Sequence, residues 1–433
     1  MAFKDEKNII KALQSQLNEI TDGVSRPSGI KPTKTTKVGV LGSGLMGHGI
    51  AYVTALAGMK VVMTDISQEN ADKGLNRIKT ILNDSYEKGL IPEKKIKEVL
   101  SRINATDNYS QLVDCDLIIE AVFEDRELKA KVTKDAEQFL ESNGVFASNT
   151  SSIPITSLAK STINPQKFIG IHFFSPVHKM KLVEIIKGKK TDSETLAKAF
   201  DYVIKINKVP IVVNDSRGFY TYRVFERYTG EGMALLFEGN SAESIEAAGK
   251  KAGFPVGPLA VSDEISIKLI AHIRDQKWRD LDREKKDLES GTWDNVIDFM
   301  TKEVKRNGRA SGSGFYEYPK DKKKYLWPKL NHHFPISDTP LDEKEMIDRF
   351  YFIQVIETIR CFEEGVLTKV VDANIGSIFG WGFPSFTGGT LQFVNNYGFK
   401  EFKNRSQELS DKYGNRFSCP KLIDEMINNG DTF

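Results

Sequence analysis

The sequence predicts an α/β protein in which a doubly wound, mostly parallel sheet is followed by all-α domains. Through residues 37–215, short apolar runs alternate with helical patterns, which is the rhythm of βαβ units. From residue 216 onward, apolar residues recur mainly at helical spacing. The chain has 433 residues, more than one hydrophobic core usually covers, so several domains are expected.

Residues 1–36 are expected to form a helix and a linker. The segment SRPSGIKPTKTTK is rich in Pro, Ser, Thr and Lys, which is typical of a linker. Five apolar residues before it have the spacing of an amphipathic helix: Ile9, Ile10, Leu13, Leu17 and Ile20. We therefore expect the folded body to begin near Lys37.

A glycine-rich segment after the first predicted strand gives the clearest signal. The run 38–41 predicts a buried strand, a helical pattern follows the glycines, and a second strand at 60–63 leads to Asp65. A GxGxxG between strand and helix, with an acidic residue after the next strand, is the fingerprint of a dinucleotide-binding Rossmann-type domain. Its residues are Gly42, Ser43, Gly44, Leu45, Met46 and Gly47.

Each fingerprint residue has a physical task. Gly42 permits the tight turn, Gly44 lets a pyrophosphate approach the backbone, and Gly47 lets the helix pack closely on the strand. The helix N-terminus offers free N–H groups to the phosphates. Asp65 can accept hydrogen bonds from ribose hydroxyls and would repel a 2′-phosphate, so NAD is favoured over NADP. A glycine-rich turn without a ligand is the alternative.

Further apolar runs predict the rest of the sheet. They cover residues 116–122, 144–149, 168–174, 182–186 and 209–215, with a helix at 193–207 before the last. Ligands of such sheets bind beyond the carboxyl ends of the strands. Three segments at such ends are therefore candidate contacts: 120–125, 149–152 (including Asn149) and 174–176.

Two titratable residues stand alone in the apolar stretch IHFFSPVHKMKLVEII. His172 has the chemistry for moving a proton near neutral pH. Glu184 could bind one ring nitrogen and stabilise the charged imidazole. Their twelve-residue spacing suits two strands joined by a loop. The alternative is that both are polar residues satisfied inside a core.

Composition excludes several classes of protein. A net charge of +2, with 61 basic and 59 acidic residues, gives no support for nucleic-acid binding. Three cysteines without a CxxC argue against disulfide and zinc frameworks, and suit a reducing compartment such as the cytoplasm. No run of about 18 apolar residues predicts a membrane span. No HxxxH or carboxylate cluster predicts a metal.

Six motifs in fixed order resemble the L-3-hydroxyacyl-CoA dehydrogenase family. They are GSGLMG, IIEAVFEDRELK, SNTSSIPI, IGIHFFSPVHKMKLVEII, VNDSRGFYTYRV and AGFPVGPLAVSDE. The resemblance is closest to the dehydrogenase part of bacterial multifunctional fatty-acid oxidation α-subunits. It runs from about Lys37 to the last residues, and the enoyl-CoA hydratase part is absent.

The resemblance implies a role for particular residues. The family's catalytic histidine and glutamate fall on His172 and Glu184, and a substrate-contacting serine falls on Ser151. The family's NAD contacts fall on three further residues: Asp65, Glu124 and Lys129. The implied reaction is the NAD-dependent oxidation of a (3S)-3-hydroxyacyl-CoA to the 3-keto form in β-oxidation.

Two residues depart from the family pattern. Tyr222 stands where the family has Asn, or Ser in the bacterial fused group, and its larger side chain could narrow the acyl pocket. His178 stands beside the site loop where Asp or Pro is more usual. Two other functions stay open: a short-chain 3-hydroxybutyryl-CoA dehydrogenase, and a non-catalytic NAD-binding scaffold of a β-oxidation complex.

The helical half is expected to contain two related domains, at residues 216–335 and 336–433, after an NAD-binding domain at 37–215. Glu-Gly followed by Gly-Phe-Pro recurs, at 238–239 with 253–255 and at 364–365 with 382–384. Two such units could replace a dimer contact, so a monomer and a homodimer are both credible. Association with a hydratase or a thiolase is a further expectation.

Overall fold

The computed structural model describes residues 6–280 and 293–433 and divides the chain into two compact units. The sheet unit comprises Lys7–Tyr222 and Glu364–Trp381. The helical unit comprises the described parts of Arg223–Glu363 together with Gly382–Phe433. Residues 1–5 of the expected N-terminal segment and 281–292 of the expected first helical domain lie outside the described residues. The predicted four-domain division stays a prediction.

The sheet unit is built on eight strands in the order β3-β2-β1-β4-β5-β6-β7-β8. All neighbours pair in parallel except β6 and β7, which are antiparallel. The predicted doubly wound α/β fold is thereby confirmed. The eight strands are β1 (Lys37–Leu41), β2 (Lys60–Thr64), β3 (Ile103–Thr106), β4 (Cys115–Glu120), β5 (Leu140–Ser148), β6 (Phe168–Phe173), β7 (Leu182–Lys187) and β8 (Val209–Asn214). A separate small hairpin of β9 (Tyr316–Glu317) and β10 (Tyr325–Leu326) belongs to the helical unit.

Helices cover both faces of the sheet and make up most of the helical unit. They are α1 (Glu6–Thr21), α2 (Gly47–Leu56), α3 (Gln68–Glu87), α4 (Glu93–Leu100), α5 (Arg126–Glu137), α6 (Ile155–Leu158), α7 (Ser193–Lys205), α8 (Thr221–Phe237), α9 (Ala242–Lys251), α10 (Pro258–Ile265), α11 (Ile267–Asp280), α12 (Trp293–Asp298), α13 (Leu330–His333), α14 (Glu343–Glu363), α15 (Val370–Trp381), α16 (Thr390–Tyr397), α17 (Phe399–Tyr413) and α18 (Lys421–Asn429).

Burial explains why the central strands are apolar almost without interruption. Helices cover both faces of a doubly wound sheet, so the side chains that point to either face of a strand are removed from water. In β4, every residue from Cys115 to Glu120 is buried. The strand Ile103–Thr106, which the sequence did not predict, lies at the sheet edge and is mostly half-buried.

The strand order places a crevice between β1 and β4. From β1 the chain runs outward to β2 and β3, and it then returns to β4 on the other side of β1. The segments that follow the neighbouring strands β1 and β4 therefore go to opposite faces of the sheet. Ligands of doubly wound sheets bind at this reversal, beyond the carboxyl ends. The fingerprint glycines after β1 and residues 121–125 after β4 therefore border one crevice.

One helix of the sheet unit comes from late in the chain. α15 packs against β7 and β8. Its glycines allow a close approach, since a Cβ on Gly376 would lie 2.8 Å from Ile211 Cδ1 and 3.0 Å from Tyr220 Cε1. Tyr220 also donates its hydroxyl hydrogen to Ala373 O at 2.8 Å. The eight-stranded sheet is thus covered partly by a segment that follows the 223–363 stretch.

An aromatic cluster forms the core of the helical unit. Phe352 stacks on Phe402 with ring centroids 4.7 Å apart, and Tyr228 stacks on Phe254 at 4.2 Å. The fully buried Arg349 is neutralised by Glu231 and Glu238, as a buried charge requires. The helical spacing predicted from residue 216 onward is interrupted at Ser266, where φ is 91° and Ile267 N–H donates to Asn307 O.

Candidate active site

The fingerprint loop has the backbone that a dinucleotide site requires. Gly42 has a φ of +90°, and a Cβ there would lie 2.9 Å from Ala121 O. A Cβ on Gly47 would lie 1.7 Å from Gly42 O, so α2 begins in direct contact with the turn. A Cβ on Gly44 would meet no atom of the described residues within 4 Å, apart from its two chain neighbours. Gly44 therefore opens toward space that a pyrophosphate can fill.

Asp65 closes the same loop from the end of β2. Its Oδ2 accepts hydrogen bonds from Ser43 N at 2.8 Å and from Ser43 Oγ at 2.6 Å, and its Oδ1 accepts from Ile66 N. Burial alone would raise the pKa of Asp65, but the hydrogen bonds from Ser43 outweigh it and hold the pKa below its usual value. Asp65 is thus ionised and suited to accept from ribose hydroxyls.

Two exposed apolar side chains follow strands next to β1; sequence reasoning missed Ile66 and included Phe123 only within the candidate segment 120–125. Ile66 follows β2 and is 92% exposed, and Phe123 follows β4 and is 87% exposed. Both follow the carboxyl ends of the strands that flank β1, namely β2 and β4. Side chains at these positions can cover the flat ring of a bound ligand. The available signal was a bulky apolar residue placed directly after each of these strands.

Lys129 and Glu124 lie in a buried charge network beside the crevice. Lys129, only 1% exposed, donates to both carboxylate oxygens of Glu120 at 2.9 and 3.0 Å and lies 3.4 Å from Glu124 Oε2. Burial lowers the pKa of Lys129, but the two carboxylates outweigh it and leave the pKa raised. The ammonium is charged and fixes Glu124.

Glu124 in turn fastens the loop that carries Ser151. Its Oε1 accepts from Thr150 Oγ1 at 2.6 Å and from the amides of Ser151 and Ser152 at 3.0 Å each. Ser151 Oγ lies 3.4 Å from the same oxygen. The structure thus brings Ser151, Glu124 and Lys129 together, and the roles predicted for them in binding substrate and NAD stay predictions.

His172 and Glu184 are brought together by strand register. His172 on β6 pairs directly opposite Glu184 on β7, so both side chains point to the same face. His172 Nδ1 lies 2.9 Å from Glu184 Oε2. Glu184 is fully buried and His172 is 7% exposed. The contact occupies Nδ1 and not the other ring nitrogen, Nε2, and the proton-transfer role predicted for the pair stays a prediction.

Glu184 is held by the start of α8. Its Oε1 accepts from Tyr220 N and Thr221 N at 3.0 Å each, and its Oε2 accepts from Thr221 Oγ1 at 2.5 Å. These hydrogen bonds hold the buried carboxyl group in one orientation. Sequence reasoning missed Thr221, because its closeness to Glu184 depends on a chain separation of 37 residues.

The remaining predicted substrate residues, Asn149 and Tyr222, lie on segments next to those of the pair. Asn149 Oδ1 accepts from Phe173 N at 2.8 Å, which ties the end of β5 to the strand of His172. The Phe174 ring lies 4.6 Å from the His172 ring. Tyr222 is half-buried and follows Thr221 in the first turn of α8.

His178 lines a cavity of about 260 Å³ near the fingerprint helix. Its other titratable lining residues are His48 and Arg77. Burial lowers the pKa of both histidines, so they are mostly neutral at pH 7. Lys208 stabilises the loop between β6 and β7, which carries His178, by donating hydrogen bonds to Val177 O and Met180 O.

Two absences concern the described residues alone. Among residues 6–280 and 293–433, no group of three or more His, Cys, Asp or Glu side chains is placed to hold a metal ion. None of the helices within those ranges combines the length and apolar character needed to cross a bilayer.

Comparison with solved structures supports the fold. A 3-hydroxybutyryl-CoA dehydrogenase from Escherichia coli K12 matches with a TM-score of 0.79, covering 92% of this chain and all of that one, at 22% identity. The (S)-3-hydroxybutyryl-CoA dehydrogenase of Ralstonia eutropha is 34% identical, with a TM-score of 0.62, and covers 66% of this chain and all of that one.

Comparison of sequences gives the family. Residues 37–216 match the NAD-binding domain of 3-hydroxyacyl-CoA dehydrogenase, which indicates NAD as cofactor, and residues 218–318 match the C-terminal domain. The fatty acid oxidation complex subunits alpha of Shewanella amazonensis and Shewanella frigidimarina are 36% and 37% identical over 93% and 94% of this chain. The chain spans 57% of the length of each. The chain therefore belongs to the 3-hydroxyacyl-CoA dehydrogenase family.

Proposed function

We propose that this protein oxidises the 3-hydroxyl group of a (3S)-3-hydroxyacyl-CoA to a ketone, with NAD as the second substrate, in fatty-acid β-oxidation. The observation that carries the proposal is the 2.9 Å contact of His172 with Glu184 in the unit that holds the dinucleotide fingerprint. The names of the Shewanella relatives support the pathway.

The residues of the crevice fit NAD. The open space over Gly44 suits the pyrophosphate, and ionised Asp65 suits the ribose hydroxyls. Exposed Ile66 and Phe123 suit the adenine ring. When bound, NAD supplies the acceptor for the hydride that leaves C3 of the substrate.

His172 takes the proton of the substrate hydroxyl at Nε2, because its Nδ1 is bound by Glu184. Glu184 orients the ring and stabilises the imidazolium that forms. Ser151 donates its hydroxyl hydrogen to the substrate oxygen, on a loop that Glu124 keeps rigid. In the reverse direction, the imidazolium returns the proton to the ketone oxygen.

A short-chain 3-hydroxybutyryl-CoA substrate is the second candidate. Tyr222 favours it, because this half-buried residue is larger than the Asn or Ser of the family pattern and would leave less room for an acyl chain. The 34% identity to the Ralstonia eutropha 3-hydroxybutyryl-CoA dehydrogenase agrees with it. A non-catalytic NAD-binding scaffold is the alternative of another class, and association with a hydratase or thiolase is compatible with each function.

The test is the oxidation of NADH with acetoacetyl-CoA and with a long-chain 3-ketoacyl-CoA. We expect turnover of both, and a strong preference for acetoacetyl-CoA would select the short-chain candidate. Binding of NADH without turnover of either ketone would contradict the enzyme proposal and leave the scaffold.

Replacing His172 tests the proton role. His172→Gln should lower kcat roughly 10²- to 10⁴-fold, the usual contribution of a general acid–base group, and leave NADH affinity within about twofold. The matched control is His272→Gln, since His272 is exposed in the helical unit and should give a wild-type rate. An unchanged rate in His172→Gln would rule out the proton role.

A further inference from the structure

The two oxygens of Glu184 receive four hydrogen bonds. Oε1 accepts the amides of Tyr220 and Thr221, and Oε2 accepts both His172 Nδ1 and the Thr221 hydroxyl. An ionised carboxylate offers about four acceptor positions, so this one is filled. The Thr221 hydroxyl and the His172 ring therefore share one oxygen.

We infer that Thr221 is a positioning residue that controls how strongly Glu184 stabilises the charged form of His172. This inference rests on the proposed function, in which His172 carries the proton. Thr221 touches neither the reacting atoms nor the cofactor in that scheme. It acts on His172 through Oε2 of Glu184 alone, at 2.5 Å on one side and 2.9 Å on the other.

Packing fixes the direction of the Thr221 side chain. A Cβ placed on Gly380 of α15 would come within 3.6 Å of Thr221 Cγ2 and 3.0 Å of Leu182 Cδ2. The methyl group of Thr221 thus faces the glycine of α15 while its hydroxyl faces Glu184. Thr221 is 1% exposed, so water does not replace either contact.

The shared oxygen sets the sign of the effect. A hydrogen bond from the hydroxyl draws charge from Oε2 and weakens its attraction for the imidazolium. Without the hydroxyl, Oε2 would hold the charged ring more strongly. The ring would then gain its proton at higher pH, and less neutral His172 would be available as a base near pH 7.

Other ionisable groups lie on the elements around the pair. They are Glu124 and Lys129 beside the Ser151 loop, His178 and Lys179 in the loop after β6, Lys208 beneath that loop, Tyr220 and Tyr222 at the start of α8, Lys187 and Asp215 at the ends of β7 and β8, and Asp372 on α15. Variants at Thr221 leave all of them in place, so a difference between those variants reports the hydroxyl.

The experiment is an NMR titration of the histidine rings in the full-length protein. Thr221→Val has the shape of threonine without the hydroxyl, and Thr221→Ser keeps the hydroxyl without the methyl. The control is Thr191→Val, which removes another buried threonine hydroxyl, one that donates to Phe168 O in the same unit. The signal of His172 is assigned by its loss in His172→Gln.

We expect the titration of the His172 ring to move upward by roughly half to one pH unit in Thr221→Val. It should stay at the wild-type position in Thr221→Ser and Thr191→Val. The acid limb of the kcat/KM profile for 3-hydroxyacyl-CoA oxidation should move by the same amount, with NADH affinity unchanged.

An unmoved titration in Thr221→Val, or an equal shift in Thr191→Val, would overturn the inference. If Thr221→Val does not fold, Thr221→Ala is titrated in its place under the same criteria. The two proposals fail separately. A wild-type protein that binds NADH but turns over no 3-ketoacyl-CoA contradicts the proposed function, while the ring titration still decides the role of Thr221.

Discussion

At the scale of single residues, we propose that the carboxylate of Asp65 selects NAD over NADP through its charge and its hydrogen bonds. Two of its acceptor positions are used by Ser43, which keeps it pointing along the fingerprint loop. The ionised group would attract ribose hydroxyls and repel a 2′-phosphate. In this proposal, the choice of cofactor depends on one side chain and its immediate hydrogen-bond donors.

Asp65→Asn should weaken NADH binding roughly tenfold, because hydrogen bonds to a charged acceptor are replaced by weaker ones. The affinity for NADPH should fall less or should rise, since the repulsion between the carboxylate and the 2′-phosphate is removed. Fluorescence titration with both nucleotides measures the ratio. Asp72→Asn, an exposed aspartate on the neighbouring α3, is the control and should leave both affinities unchanged. Equal losses for NADH and NADPH would argue against selection by charge.

Residue-scale features were predictable where local chemistry and spacing coincide. The isolation of His172 and Glu184 in apolar runs showed them as a candidate pair, and antiparallel register brings them to 2.9 Å. The Thr221 contact was not predictable, because no local pattern connects a helix start to a strand 37 residues earlier. Likewise, the sequence does not show that Lys129 would be buried between Glu120 and Glu124.

At the scale of elements, α15 carries a buried acid into the sheet unit. Asp372 is fully buried, and its Oδ2 accepts from Ser25 Oγ at 2.6 Å. Its Oδ1 meets no hydrogen-bond donor among the described residues. Burial raises the pKa of Asp372 to about 7, against hydrogen bonds from Ser25 and Val212 that lower it.

This carboxyl makes stability depend on pH. Its pKa is about 7 in the folded protein and near 3.8 when unfolded, so the folded state binds more protons between these values. The free energy of unfolding therefore falls as pH rises through this interval. Asp372→Asn removes the dependence. Relative to wild type, the variant should gain on the order of 2 kcal/mol between pH 5 and pH 7.

Urea denaturation at the two pH values measures this difference. Asp107→Asn, at an exposed position, is the control, and its difference from wild type should not change with pH. A constant difference for Asp372→Asn would show that Asp372 does not titrate in this range.

The strands that are buried on both faces were the ones that the sequence predicted well. Strands that are covered on both faces give continuous apolar runs, and β1, β2, β4, β6, β7 and β8 were found within two residues of their bounds. The edge strand Ile103–Thr106 was missed because a half-covered strand of four residues has no such run. The break at Ser266 was missed because its cause, the carbonyl of Asn307, lies 41 residues away.

At the scale of the whole molecule, the chain order and the spatial units differ. Residues 364–381 belong to the sheet unit, while 343–363 before them and 390–413 after them belong to the helical unit. The fold class was predictable from periodicity. The membership of residues 364–381 was not, because nothing local distinguishes α15 from other helices of the second half.

Hydrogen exchange tests this grouping. NADH bound to the sheet unit should slow the exchange of amides in 364–381 together with those of β7 and β8, because ligand binding stabilises the whole cooperative unit. The flanking helices Glu343–Glu363 and Phe399–Tyr413 are internal controls and should change less. A response of 364–381 that follows these two helices instead would contradict the grouping.

The late position of α15 has a consequence for biosynthesis. About 140 residues separate the first part of the sheet unit from Glu364. At roughly 5–20 residues per second, a ribosome needs on the order of 7 to 28 s to add them. During this delay the nascent sheet presents Ile211 and Tyr220 without their cover. The sheet unit must therefore wait until residues 364–381 have been synthesised to complete its fold, and chaperones are most useful in this interval.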